Sequence, residues 1–191
     1  MNKEEFIKSL KDLGIELTDE QVIKLNKFYN LLIEWNEKIN LTRITEEQEV
    51  YLKHFYDSLT IAKVVDLSTK ETLCDVGTGA GFPGIVLKIV YPKLKITLVD
   101  SLLKRVNYLN TIIKDLELEN IHAIHSRGED FKEKFDIVTA RAVAQMNFLL
   151  EVSVPMLKIG KYFVAMKGNI ENESSSNYCR RRWTKNGTRN P

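Results

Sequence analysis

From Glu71 onward the chain alternates short, β-rich apolar runs with helical windows, and this rhythm narrows the possible folds more than any other feature. The runs fall at 72–76, 96–99, 121–124, 135–139 and 162–166. Helical windows separate them at 84–91, 101–116 and about 145–157. In the clearest window Leu103, Val106, Leu109, Ile113 and Leu116 step by three or four, the spacing of one buried helix face. Strands alternating with helices imply right-handed crossovers and a mainly parallel, doubly wound α/β sheet. Ligands of such sheets sit at the carboxyl ends of the strands, so function is expected in the residues just after each run.

The first 65 residues have no strand alternation. Phe6, Ile7, Leu10 and Leu13 mark a helix that Gly14 stops, and Thr18 with Gln21 forms a capping box that starts a longer one. There Val22, Leu25, Phe28, Leu32, Trp35 and Ile39 form a buried stripe, and a third helix is predicted from about Glu46 through Val65. The expected organisation is an N-terminal helical region over 1–65, a sheet domain over 66–170, and an atypical tail over 171–191. The tail offers only Tyr178, Cys179 and Trp183 as hydrophobes beside three serines and an arginine triplet. Such a segment buries too little to offset its ordering entropy and is expected to be disordered.

The 191 residues are 43% hydrophobic and 28% charged, a composition that excludes disordered and collagen-like chains. No apolar stretch reaches the ~18 residues a membrane helix needs, and the acidic start is not followed by a signal-type apolar segment. Two cysteines without metal-type spacing indicate a reduced, cytoplasmic protein. The net charge is +2, but five of the 28 basic and two of the 26 acidic side chains lie in 171–191, which leaves the rest of the chain at −1. Binding of a nucleic acid therefore needs a local patch.

The strongest motif lies between the first run and its helix: Asp75-Val76-Gly77-Thr78-Gly79-Ala80-Gly81-Phe82-Pro83-Gly84. Gly79, Gly81 and Gly84 satisfy the dinucleotide fingerprint, with Asp100 as the ribose-binding acid about 20 residues on. A pyrophosphate, however, needs free amides and positive potential, whereas Pro83 lacks an N–H and Asp75 adds a carboxylate. S-adenosylmethionine, with an ammonium, a sulfonium, a ribose and no phosphate, suits Asp75-x-Gly77-x-Gly79 better. The plain alternative is that the glycines only build a tight turn.

The run DVGTGAGFPGIVL, followed by LVDSLLKRVNYL, SRGEDF, DIVTARAV and MLKIG before VAMKG, resembles the RsmG (GidB) family of bacterial 16S ribosomal RNA guanine-N7 methyltransferases. The segments WNEKINLT (35–42) and HFYDSL (54–59) resemble that family's N-terminal signatures, and the likeness covers about 20–170. It implies a Rossmann-like, class I methyltransferase fold and S-adenosylmethionine as cofactor. Gly77, Thr78 and Gly79 would hold the methionine part, with Phe82 closing over it. Asp100 would bind the ribose hydroxyls, Ser101 and Leu102 would lie beside the adenosine, and Gly128 and Glu129 would flank the adenine. Arg141 would line the site near the methyl group. The implied substrate is 16S ribosomal RNA or the small ribosomal subunit; a monomer without membrane contact is expected.

Guanine N7 has a free lone pair, so transfer from a sulfonium needs no prior proton removal and alignment alone can carry catalysis. Consistent with that demand, Thr139-Ala140-Arg141 replaces any motif that grips an exocyclic amine, and Cys74 sits inside a strand. No general base is assigned, and Arg141 is the one candidate catalytic side chain. Lys104, Arg105 and Arg127 are candidate RNA contacts, though a solvated helix face reads equally well. His54 and Asp57 are expected to hydrogen-bond within the helical region, and His122 and His125 lack a third metal ligand, so no metal is expected. Two rivals remain: a nucleotide-cofactor oxidoreductase, and a non-catalytic ribosome-binding module on the same fold. Methyltransferases of this type normally add a helix and two strands after the fifth, whereas the composition shift after Gly168 suggests a truncated or frame-shifted end and leaves the fifth strand as an edge.

Overall fold

The computed structural model describes residues 1–68, 71–141 and 146–166, so the tail and its inferred frameshift lie outside the described residues. Five strands form the sheet: β1 (Thr72–Val76), β2 (Lys95–Asp100), β3 (Ile121–His125), β4 (Phe135–Arg141) and β5 (Leu157–Met166). Their order is β3-β2-β1-β4-β5 and every pairing is parallel. The chain winds outward from β1 through β2 to β3, then returns to β1's other side, which makes the carboxyl end of β1 the topological switch point. Among the described residues β5 pairs only with β4.

The strands alternate faces, and each face has its own core. Leu73, Ile96, Leu98 and Ile137 point to one side, Cys74, Val76, Val99 and Val138 to the other. Helix α7 (Met146–Ser153) covers the second face with Leu149 and Val152. On the first face lie α5 (Gly84–Val90) and α6 (Leu103–Asp115), and the same apolar cluster continues without a break into the N-terminal helices.

The first two helices form where the apolar spacing and, for the second, the capping box predict. In α1 (Lys3–Leu10) Asn2 and Glu5 cap reciprocally, and Gly14 ends the following turn in the left-handed conformation at φ +69°. For α2 (Asp19–Ile39) both arms of the Thr18–Gln21 capping box are present. Gln21 does more: its Nε2 donates to Ile89 O at 3.1 Å and Val90 O at 2.9 Å, the open carbonyls at the end of α5. One residue thus starts a helix and ties the helical region to the sheet.

Two elements differ from expectation. The predicted third helix is a series of short pieces, α3 (Glu47–Val50), a wide π-helical turn (Tyr51–Tyr56), α4 (Asp57–Leu59) and a 3₁₀ turn (Thr60–Lys63). The wide turn turns Tyr51, His54 and Phe55 inward together, an arrangement often found at functional sites. The last predicted helix ends early: α7 stops at Ser153 because Pro155 cannot donate within a continuing helix, and β5 begins at Leu157 rather than at Tyr162.

Gly84 shows how tightly α5 is set on β1 and β2. A Cβ there would lie 2.2 Å from Leu98 Cδ2 and 2.9 Å from Asp75 Oδ2. Gly84→Ala is expected to lower the unfolding free energy by about 1–3 kcal/mol, seen as a lower urea midpoint at unchanged slope; an unchanged midpoint would contradict this packing.

Candidate active site

The loop after β1 is built from backbone conformations that only glycine adopts freely. Gly77 and Gly79 have φ of +68° and +60°. Most of the loop's amides are already committed: Gly77 N and Thr78 N donate to Val99 O, Gly81 N and Phe82 N to Thr78 O, Gly79 N to Asp100 Oδ2, and Gly84 N to Asp75 Oδ2.

Asp75 is fully buried beneath this loop and does not line the cleft above it. Its Oδ2 accepts the Thr78 hydroxyl at 2.7 Å and Gly84 N at 2.9 Å, while Oδ1 has no partner. Burial pushes its carboxyl up to about 6. The expectation that Asp75 meets a cationic cofactor end directly is therefore corrected. The amide at the start of α5 draws the carboxylate under the turn, where it braces the loop.

A cleft of about 400 Å³ opens at the carboxyl ends of β1, β2 and β4. Of the residues picked out from the sequence it brings together Gly77, Thr78, Gly79, Phe82, Asp100, Ser101, Arg141 and Arg105. Leu41, Thr42, His54 and Ala80 complete the lining. Asp100 Oδ1 accepts Leu102 N at 2.9 Å and Oδ2 accepts Gly79 N at 2.9 Å, so the carboxylate both steadies the start of α6 and faces the cleft. Arg105 Nη1 lies 3.6 Å from Asp100 and turns inward, unlike Lys104 and Arg127, which are exposed and outside the lining.

Leu102 stands at the rim, half-exposed, and Gly128 and Glu129 are also off the cleft wall. Gly128 is a close-packing glycine: a Cβ would lie 2.3 Å from Val152 Cγ1 and 3.3 Å from Val76 Cγ1, so this turn is pressed between α7 and the end of β1. Phe82 is a further correction. Its ring is only 6% exposed, packed against Phe28 and Phe55 and stacked on His54 at 4.4 Å, which makes it a fixed wall and not a closing lid.

Arg141, at the end of β4, reaches across to the helical region. Its Nη2 donates to Lys53 O at 2.8 Å and to His54 Nδ1 at 2.6 Å, its Nη1 lies 3.5 Å from Asp57 Oδ2, and the guanidinium sits 5.6 Å from the Phe82 ring centre. His54 hydrogen-bonds within the helical region as expected, through Nε2 to Thr42, but its Nδ1 and the Asp57 carboxylate both meet Arg141 of the sheet domain. Burial and the Arg141 charge push the His54 ring down to about 4, so it is neutral. Its Nε2 lies 3.0 Å from Thr42 Oγ1.

The family described as GidB, rRNA small subunit methyltransferase G, matches residues 21–189. The chain belongs to this family. It is 52% identical over 173 residues to ribosomal RNA small subunit methyltransferase G of Macrococcus caseolyticus, covering 88% of this chain and 73% of that protein. It is 49% identical over 183 residues to the protein of that name in Bacillus cytotoxicus, covering 93% and 77%. Among solved structures, a protein-L-isoaspartate O-methyltransferase aligns at a TM-score of 0.61 with 16% identity, over 87% of this chain and 55% of that one. A SAM-dependent methyltransferase from Aquifex aeolicus aligns at 0.54 with 22% identity, over 75% and 77%. The fold is thus the Rossmann-like one of class I methyltransferases.

Within this GidB chain, the cleft residues not picked out from the sequence are Ala80 of the glycine loop and Leu41, Thr42 and His54, which lie in the two N-terminal segments already likened to the family. The signal was present there, but only the fold shows that the segments meet the cleft.

Asp75 makes the loop's stability depend on pH. Its folded carboxyl titrates near 6, above the ordinary 3.8, so its stabilising contribution is full below about 3.8 and is lost as pH rises through 6. In urea unfolding, Asp75→Asn should gain on the wild type by up to about 3 kcal/mol between pH 4 and pH 7. A difference that stays constant with pH would show that Asp75 is not held in this way.

Proposed function

We propose that this chain transfers a methyl group from S-adenosylmethionine to N7 of a guanine in 16S ribosomal RNA. The observation that carries the reading is the joining of Gly77, Gly79 and Asp100 in one cleft at the switch point of a GidB-family fold. A volume of about 400 Å³ is in the range of small-molecule sites. Each Asp100 oxygen accepts one amide and keeps acceptor capacity, which suits the paired hydroxyls of a ribose. The committed loop amides, with Pro83 lacking one, leave little to cradle a pyrophosphate, which weighs against the oxidoreductase alternative.

When bound, S-adenosylmethionine supplies a methyl group activated by its sulfonium. The backbone of Gly77 and Gly79 allows close approach of the methionine part, with Thr78 beside it, and Ser101 and the rim residue Leu102 border the adenosine. Contact of Gly128 and Glu129 with the adenine rests on the family resemblance alone. Guanine N7 attacks with its own lone pair, so the chain's task is to hold the base in line and keep water out. No cleft residue is placed as a general base: His54 Nδ1 is occupied by Arg141. Cys74 lies on the far core with its thiol pushed well above the usual range by burial. Arg141 and Phe82 give the base a rigid wall, and Arg105 on the cleft wall with Lys104 and Arg127 outside it are the basic side chains that would meet RNA phosphates. The working form is a cytoplasmic monomer acting on the small subunit; no described helix is long and apolar enough to cross a membrane.

Calorimetric titration tests the cofactor: S-adenosylhomocysteine should bind saturably and NAD should not, and the reverse result would sink the methyltransferase reading. Arg141→Ala should lower methyl incorporation into small-subunit RNA by about 10²-fold, because it unfixes the wall that aligns the base. Full activity in that variant would remove Arg141 from the site. Borohydride reduction and aniline scission of the product would reveal N7-methylguanine; an unscissile product would move the methyl group to another atom.

A further inference from the structure

The direction of each hydrogen bond around Thr42 is fixed by its neighbours. Two groups meet His54 Nδ1, Lys53 O at 3.2 Å and Arg141 Nη2 at 2.6 Å; arginine has donors only and cannot face an N–H at that distance, while Lys53 O already accepts from Nη2 at 2.8 Å, so Nδ1 is the acceptor and the ring's proton sits on Nε2. That Nε2–H therefore donates to Thr42 Oγ1 at 3.0 Å. The same oxygen accepts Ile44 N at 3.1 Å. Both lone pairs are filled, and what remains is the hydroxyl proton, which has no acceptor among the described residues. Thr42 lines the cleft, and its position is secured by its own N–H to Asn36 Oδ1 at 2.8 Å and by the left-handed Asn40 that ends α2.

An ordinary threonine can rotate to donate or accept. This one can only donate. A purine presents N7 beside the group at position 6, which is a carbonyl acceptor in guanine and an amino donor in adenine. We infer that Thr42 donates its hydroxyl to O6 of the acceptor guanine and thereby selects guanine over adenine at the methylated position. This rests on the methyl-transfer reading above and adds a residue of the helical region to it. The chain Arg141–His54–Thr42 then has a purpose that packing alone does not require, since it removes the threonine's choice.

The test uses the full chain and small-subunit RNA ligated with guanine or 2-aminopurine at the target position; the second base keeps N7 and lacks O6. Methyl incorporation is measured as kcat/KM for the wild type, Thr42→Val and Thr42→Ser, with S-adenosylhomocysteine affinity as a check on the cleft. Thr42→Val should lose about tenfold on guanine RNA, the worth of one hydrogen bond, with cofactor affinity within about twofold of wild type. Thr42→Ser should restore the rate. On 2-aminopurine RNA the valine variant should lose nothing more, because intrinsic N7 reactivity cancels between the two proteins.

Losses that multiply across variant and base would overturn the assignment, since they mark Thr42 as merely structural. The wild type needs no mutation to challenge it: equal rates on the two RNAs would also overturn it, even if the valine variant failed to fold. No transfer by the wild type to guanine RNA would sink the methyl-transfer reading itself, and this inference with it.

Discussion

The guanidinium of Arg141 joins two parts of the chain that local sequence keeps apart. It sits at the end of β4, 87 residues from His54, and is mostly buried at 16% exposure. A cation there carries a desolvation cost that only good pairing offsets. The pairing comes from the helical region: a carbonyl, a ring nitrogen and a carboxylate, all within the short segment from Lys53 to Asp57. The helical region is therefore part of the cleft and not merely a cover on it. Phe82 makes the same connection with apolar surface, since its ring belongs to the core of α2 and the π-helical turn while its backbone belongs to the glycine loop.

Two buried carboxylates of similar sequence context have been given different work by where they stand relative to the cleft. Asp75 stands one residue before the end of β1 and Asp100 ends β2, and each accepts an amide from the stretch that runs from the glycine loop into α5. Asp75 is sealed below, so it braces the turn and retains a proton to higher pH. Asp100 lies at the surface of the cleft, steadied by Gly79 N and Leu102 N, with acceptor capacity to spare. Sequence motifs that treat both as one signature describe the loop correctly but do not separate support from contact.

The parallel sheet was legible because its strands are short apolar runs between periodic helices, and β1 occupies the very residues that the run 72–76 marks. The capping box of α2 was legible for a related reason, since its partners Thr18 and Gln21 lie three residues apart. What was not legible depends on distance in sequence. The π-helical turn has the same apolar spacing as an α-helix and gives itself away only through packing. Gly128 reads as a loop glycine next to an acid, yet it is small because Val152 is pressed against it. His54 with Asp57 looked like a local pair; His54 keeps a bond to Thr42 in the helical region, while Arg141 meets both residues from 84 or more positions away in sequence.

A reaction that needs no proton removed places its demand on geometry, and the cleft answers with parts that have little freedom. The loop backbone is committed to its own hydrogen bonds, Phe82 is held by three rings, and Nη2 of Arg141 uses both hydrogens on the helical region. Rigid walls of this kind give up adaptability, and a purine entering them meets fixed donors and fixed faces. Selectivity then follows from the direction of the hydrogen bonds rather than from their number, because a group that cannot reverse its donor role rejects the wrong base as firmly as it accepts the right one.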